Sequence, residues 1–477
     1  MLIAIFIPIL AGLFTIALPV KNRKFHIFFC FGATLLTAVL AWTLILNPPE
    51  APTRIFVFME RYPIEFRIDG MSKVFMGLIS SLWPLATLYS YEYMEHEASE
   101  NTLKEKTFFG MYTITYGVTL AIAMSANILT MYLNYEILTL VTIPLVLFTL
   151  TREAIKATRA YMVFSLGGAA FGFIALVFIM YFGRTIDFEL GGVLDLAKVG
   201  TRTGSLRMFY LMGFLGFGVK AAVFPVNAWL PKASVAPTPV TALLHAVAVV
   251  KSGAFAIMRL TYYSFGADFL KGTHTQYYAL GLALFTILFG CTMALKERHI
   301  KRRLAYSTIS NLSYVLFAAM LLTPEGLHAA LSFMVFHGVM KITAFFCVGA
   351  YITKGERKYI YDLNGIYKEM PFISVVFAIA SIAIMGVPGL PGFYGKWLIA
   401  QAALHEGSIG GYAGIVVLMI SSLLTAIYML QPLVHAFFYK REDESLKPGK
   451  DPGVCEVLPL TILVIGMVLL GLGVIVV

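Results

Sequence analysis

The chain has 477 residues, of which 59% are apolar and only 13% charged. Soluble domains carry roughly a quarter charged residues, and a mean hydropathy of +0.81 marks lipid as the main solvent, which excludes a soluble multidomain enzyme, a disordered chain and a disulfide scaffold. The net charge of +10 does not point to nucleic acid, because the basic residues fall in short clusters between apolar runs, where they set membrane topology.

A membrane span needs about 20 apolar residues. Fourteen spans are expected, near 1–20, 25–46, 69–91, 107–125, 127–149, 159–183, 206–229, 239–264, 277–295, 303–322, 326–352, 371–400, 411–438 and 457–476. They are read as helices, since a helix satisfies every backbone group internally. Runs such as Phe171–Met180 lack the two-residue alternation of a membrane β-barrel. The predicted fold is therefore an all-α integral membrane protein. The first run, Met1 to Val20, has neither a basic leader nor a small-residue cleavage site, so no removable signal is expected.

Most Lys and Arg residues lie on the side of the loop that follows the first span. Lys21, Arg23 and Lys24 stand there, as do Arg298, Lys301, Arg302 and Arg303, and later Lys440, Arg441, Lys447 and Lys450. Calling that side inside places both termini outside, in the cell membrane of a prokaryote.

Two spans are interrupted. Pro225 lies within the seventh and removes the helical partner of the Ala221 carbonyl, beside Lys220. Pro388 and Pro391 cannot both sit in one unbroken twelfth helix. The breaks are five spans apart, and an odd-numbered unit repeats upside down, so inverted repeats are expected. This divides the chain into N-terminal helices (1–106), a first five-helix unit (107–264), a second (277–438) and a last helix (457–477).

Few ionisable side chains fall inside spans. They are Glu136, Lys220, Lys251, Lys341 and Lys396, joined by His245 and His337. Each charge at a helix centre costs about 2.5–3.5 kcal/mol, so these groups are expected to be paired, hydrated or neutral for part of the time. Glu136 and Lys220 form the first expected pair, whose proton affinity depends on their separation. His337 and Lys341, four apart, share one helix face. His245 and Lys251, six apart, are about 120° out of line on a regular helix. The set reads as a chain of titratable stations joined by water.

Other motifs fail. Gly395-Lys396-Trp397 lacks the upstream glycine and following hydroxyl of a phosphate loop. Gly168 with Gly172 and Gly410 with Gly414 fit helix packing. Cys30, Cys291, Cys347 and Cys455 are scattered, so no iron–sulfur, zinc or thiol redox centre is expected. No cofactor and no metal site is expected.

These charged positions occur within telling strings. They are Gly216-Phe-Gly-Val-Lys-Ala-Ala-Val-Phe-Pro-Val-Asn-Ala-Trp-Leu-Pro231, Ala236-Pro-Thr-Pro-Val-Thr-Ala-Leu-Leu-His-Ala-Val-Ala-Val-Val-Lys251 and Ser307-Thr-Ile-Ser-Asn-Leu-Ser-Tyr314. Together they resemble the proton-translocating antiporter-like subunits shared by respiratory complex I, Mrp-type Na+/H+ antiporters and membrane-bound hydrogenases. The resemblance implies that Glu136 and Lys220 are the ion pair of a first half-channel and that Lys251 is the connecting lysine. His337 and Lys341 match the central relay, Lys396 the terminal lysine, and His245 a histidine common in the eighth span. Lys396 stands where one complex I paralogue usually has glutamate. The chain also ends soon after the last span, without the long extensions of other members. The segment with His245 and Lys251 looks most like the D-type Mrp subunit and its relatives in hydrogenase complexes.

The expected function is proton movement through a Glu/Lys/His relay in a multisubunit complex, with other membrane subunits as partners and any sodium coupling partly in one of them. The alternatives are a pumping subunit of a complex I-type oxidoreductase or hydrogenase, a stand-alone solute transporter, a quinone-binding redox subunit, and a non-conducting assembly subunit.

Overall fold

Apolar runs in lipid leave their peptide groups no partner except one another, and a helix provides that partner within one segment. The computed structural model describes residues 1–18, 22–97, 102–441 and 448–474 and is built mainly of helices. Lys21, Lys447 and the end of the last helix (475–477) lie outside the described residues.

In chain order the helices are α1 (Leu2–Ala17), α2 (Arg23–Leu46), α3 (Gly70–Glu97), α4 (Thr102–Met124), α5 (Ile128–Val146), α6 (Arg152–Phe182), α7 (Leu196–Val199), α8 (Thr203–Gly218), α9 (Trp229–Ala233), α10 (Thr238–Ala242), α11 (Val249–Met258), α12 (Ala267–Leu270), α13 (His274–Lys296), α14 (Ile300–Met320), α15 (Pro324–Gly355), α16 (Pro371–Met385), α17 (Pro391–Glu406), α18 (Ile409–Phe438) and α19 (Val454–Gly471). Among the described residues, ten stretches are long and apolar enough to cross a membrane, and α1 and α16 are apolar but shorter.

One element departs from the all-helical expectation. Thr53–Phe58 (β1) and Tyr62–Phe66 (β2) form an antiparallel hairpin, with Thr53 opposite Phe66 and Phe58 opposite Tyr62. Its β-branched and aromatic residues favour a pleated backbone. Met59 and Glu60 close the turn in the left-handed region, at φ 52° and 58°. The hairpin is pinned to the α4–α5 junction, where the Ala126 amide donates to the Glu65 carbonyl at 2.9 Å.

Helix α15 is the hub, packing on α3, α10, α14, α16, α17 and α19. Apolar side chains cover the outward faces instead. On α18, Val416, Met419, Leu423, Ile427 and Leu430 are exposed at helical spacing, a stripe suited to lipid. Helices α6 and α8 meet backbone to backbone. A Cβ on Gly168 would stand 2.7 Å from the Gly216 carbonyl oxygen, so only glycine permits that approach.

Arg259 and Glu456, near the ends of expected spans, are among the buried charges. Arg259 donates to both Asp69 carboxylate oxygens, at 2.5 and 2.7 Å, and to the Ser72 hydroxyl at 2.9 Å. Glu456, expected just before the last span, lies in the first turn of α19 and is fully buried.

Candidate functional site

The first break opens where α8 stops at Gly218, and the next helical turn begins only at Trp229. Between them Ala222 takes a left-handed φ of 57°, and the Phe224–Pro225 peptide is cis. The helix thus ends before the residue whose carbonyl Pro225 was expected to orphan. Val219, whose carbonyl the break frees, is met by the Trp229 indole at 2.7 Å. Lys220 lies in this unwound stretch with no exposure. Its ammonium donates to the Tyr135 carbonyl and sits 3.4 Å from the centre of the Tyr135 ring.

Glu136 follows Tyr135 on α5 and is an electrostatic neighbour of Lys220. Among the described residues, however, no ion pair joins them: the backbone carbonyl takes the ammonium, and Glu136 Oε1 is buried without a hydrogen-bond partner. Glycine at 253 brings α11 against this site. A Cβ there would stand 2.8 Å from the Lys220 carbonyl carbon.

The eighth expected span is not a regular helix. Residues Leu243–Val247 and Arg259–Phe265 are π-helical, on either side of α11. Such widened turns mark functional sites in many helices. Here one contains His245, so the 3.6-residue geometry behind the expected 120° offset from Lys251 does not hold. His245 is fully buried, its ring 5.0 Å from that of Phe345, and among the described residues neither ring nitrogen is bonded. The Lys251 amine shares a hydrogen bond with His337 Nδ1. His337 and Lys341 lie one turn apart on α15, and Lys341 donates to the Ser307 hydroxyl at 2.6 Å. Lys251, His337 and Lys341 have no exposure.

The second break separates α16 from α17. Gly386 and Gly389 adopt φ of 92° and 88°, and Pro391 begins α17 where its missing N–H is not needed. Lys396 reaches back from α17 and donates to the Met385 carbonyl at 2.9 Å. A lysine on the last carbonyls of a helix is favoured by their partial negative charge.

Between Lys341 and Lys396 runs a set of small polar groups that reading by charge alone misses. Ser307 bonds the Tyr428 hydroxyl at 2.8 Å. Cys291 contacts Ser310 at 3.0 Å and is an electrostatic neighbour of both lysines. Tyr314 donates to Ser421 at 2.7 Å, and Lys396 lies 5.8 Å from the Tyr314 ring centre. The signal was present in sequence: Ser307, Ser310, Asn311 and Tyr314 form a polar stripe at helical spacing in an apolar span.

The structure thus brings Lys251, His337 and Lys341 into one cluster and bonds Lys341 to Ser307, which in turn meets Tyr428, while the Lys396 ammonium bonds backbone carbonyls of α16. Among the described residues no hydrogen bond links Lys220 to this cluster, although α11, which carries Lys251, meets the Lys220 backbone at Gly253.

Residues 125–425 match the family model described as NADH:quinone oxidoreductase/Mrp antiporter, TM. The N subunit of the NADH-quinone oxidoreductase of Desulforudis audaxviator is 26% identical over 86% of this chain and 82% of that protein. The D-type subunit of a Bacillus subtilis Na(+)/H(+) antiporter is 24% identical over 86% of this chain and 81% of that protein. Some relatives are longer, and the chain spans 40% of one and 59% of another. Two solved structures share the fold, each with a TM-score of 0.84 over 99% of this chain. One is an archaeal membrane-bound sulfane sulfur reductase, 22% identical with 94% of that chain covered; the other is the Mrp complex of a Dietzia species, 20% identical with 93% covered.

Proposed function

Because the chain belongs to the NADH:quinone oxidoreductase/Mrp antiporter membrane family, in which it is an antiporter-like subunit, we propose that it conducts protons through its buried lysines and histidines, as the D-type subunit of an Mrp Na+/H+ antiporter. The observation that carries this reading is the hydrogen bond between Lys251 and His337, with Lys341 one turn further on, all buried. An amine and an imidazole nitrogen in contact hold one mobile proton between them. Three cations so close and so buried repel one another, so the cluster favours a partly deprotonated state, the condition for handing a proton on.

In this reading a proton passes from Lys220 to Lys251, His337 and Lys341, then by way of Ser307, Cys291 and the neighbouring hydroxyls toward Lys396. Glu136 modulates Lys220 from a short distance rather than by contact. We also read fourteen crossings, counting α1, the broken α8–α9 and α16–α17 pairs and α14, arranged as two inverted five-helix units with both termini outside. The partners are other integral membrane subunits, and sodium coupling resides partly among them. The likeness to an oxidoreductase N subunit favours a second reading, in which the same relay serves a redox-driven complex.

Lys220→Ala, Glu136→Ala and Lys251→Ala in the intact complex, reconstituted in liposomes with an internal pH dye, test the relay. Transport is expected to collapse while the complex still assembles. Unchanged transport in Lys220→Ala or Glu136→Ala overturns the reading, and loss of assembly with transport spared identifies a structural subunit instead.

A further inference from the structure

A second membrane carboxylate, outside the relay, lies where α3, α15 and α19 meet. Glu456 occupies the third position of α19, after Gly453 as the helix cap. A glutamate at that position normally folds back to accept the cap residue's N–H. Here that donor is taken: Glu92 of α3 accepts the Gly453 amide at 2.6 Å and pairs with Lys354 of α15 at 3.2 Å. Glu456 is left fully buried, and among the described residues neither of its carboxylate oxygens has a hydrogen-bond partner. Glu92 and Lys354 are its electrostatic neighbours.

Two carboxylates with one ammonium carry a net negative charge in a region that penalises it. A proton removes the imbalance and changes the bonding. An ionised carboxylate only accepts, whereas a protonated one donates, and Glu92 is a ready acceptor. Two neighbouring carboxyl groups sharing one proton is the favoured outcome of such crowding. Sodium fits less well, since it requires several oxygen ligands and Glu92 Oε1 is already engaged by Lys354 and the Gly453 amide, leaving its second oxygen to accept from a protonated Glu456.

Among the described residues, the other titratable groups around this corner are Tyr89, Tyr93 and Glu95 from α3, Cys347 and Tyr351 from α15, Cys455 on α19 itself and, just before it, Asp451, which accepts the Phe372 and Ile373 amides. Helix α16 brings none, and α17 directs Lys396 to Met385 instead. Glu92 and Lys354 keep 13% and 17% side-chain exposure, so the proton has a route from the surface that carries the basic loops. Cys347 lies six residues from Lys341 on α15, about 9 Å of rise.

We propose that Glu456 and Glu92 form a proton-binding site at the basic-loop end of α19, holding one proton that Lys354 helps to position. The proposal takes the proton as the transported ion and so rests on the function proposed above, but its binding test does not require transport. Infrared difference spectra of the intact complex, recorded across a pH titration, read the protonated-carboxyl band directly. Glu456→Gln is expected to remove one such band, while Glu136→Gln keeps it. Glu92→Gln is expected to move its midpoint by about one pH unit, a tenfold change in proton affinity. An unchanged spectrum in Glu456→Gln overturns the site, as does a band that sodium displaces competitively. If the band is lost in Glu456→Gln while Lys220→Ala transports normally, the relay falls and this site stands.

Discussion

Lys396 of α17 donates to the Met385 carbonyl of α16 across the break between the two helices, at 2.9 Å. The lysine proposed above as the last relay station therefore also closes a helix end. The Gly386 backbone, at φ 92°, lets the chain turn away beneath it, and a Cβ there would meet the lysine Nζ at 3.2 Å.

Lys396→Met is expected to lose both roles. Leaving the half-buried Met385 carbonyl without its donor costs about 1 kcal/mol, read as a lower unfolding temperature of the purified complex. Transport falls with it. Lys396→Arg keeps a donor but not a readily removed proton, so it restores stability and not transport.

His337→Gln tests whether a titrating ring is required beside Lys251. The amide preserves hydrogen bonding yet cannot cycle a proton, so transport is expected to drop at least about 100-fold with assembly unchanged. A double-mutant cycle with Lys251→Met should return a coupling of roughly 0.5–3 kcal/mol in stability. Additive effects would count against the contact.

Ser307→Ala removes the acceptor of the Lys341 ammonium and the partner of the Tyr428 hydroxyl. Transport measured in liposomes should fall about tenfold or more, and Ser307→Thr should recover most of it. Equal rates in all three proteins would show that the hydroxyl stripe is packing alone.

Gly253→Ala places a methyl 2.8 Å from the Lys220 carbonyl carbon and 3.0 Å from its Cβ. Both belong to backbone or its first side-chain atom, which cannot swing aside. Overpacking of this kind costs about 1–3 kcal/mol, and displacement of Lys220 from Tyr135 should reduce transport as well. A variant of full stability and rate would contradict the close approach.

His299, outside the spans, supplies a pH signature. Burial, then the nearby cations Lys301 and Arg302, holds its imidazole down at about 4. An unfolded histidine titrates near 6.5. Between those values the unfolded chain binds the extra proton, so stability rises with pH. The contribution is absent above about 6.5 and grows destabilising as pH falls toward 4. Thermal unfolding of His299→Gln should therefore lose part of this acid sensitivity, measured against wild type at pH 7 and pH 5.

Much of the architecture was legible in the chain because lipid enforces simple rules. An apolar run of about 20 residues has one stable backbone answer, so the positions of the long helices followed from hydropathy. Prolines at 225, 388 and 391 marked interruptions because a ring without an N–H breaks the helical ladder. The isolated lysines and histidines stood out because each is costly in lipid. The β1–β2 hairpin lies in the connection between the second and third expected spans, too short in apolar residues to register as a crossing, and the π-helical turns around His245 left no trace in a 3.6-residue pattern.

Composition and spacing alone determined that this is a helical membrane protein with a sparse set of buried titratable groups and two interrupted helices, since those features depend only on each residue's affinity for lipid and its local backbone. Which groups touch was decided only by the tertiary fold. Lys220 met a carbonyl instead of Glu136, Lys251 met His337, and Glu456 was stripped of its helix-cap bond by Glu92. Those partnerships join residues tens to hundreds of positions apart, and their geometry arises from how whole helices pack rather than from anything a local stretch of sequence encodes.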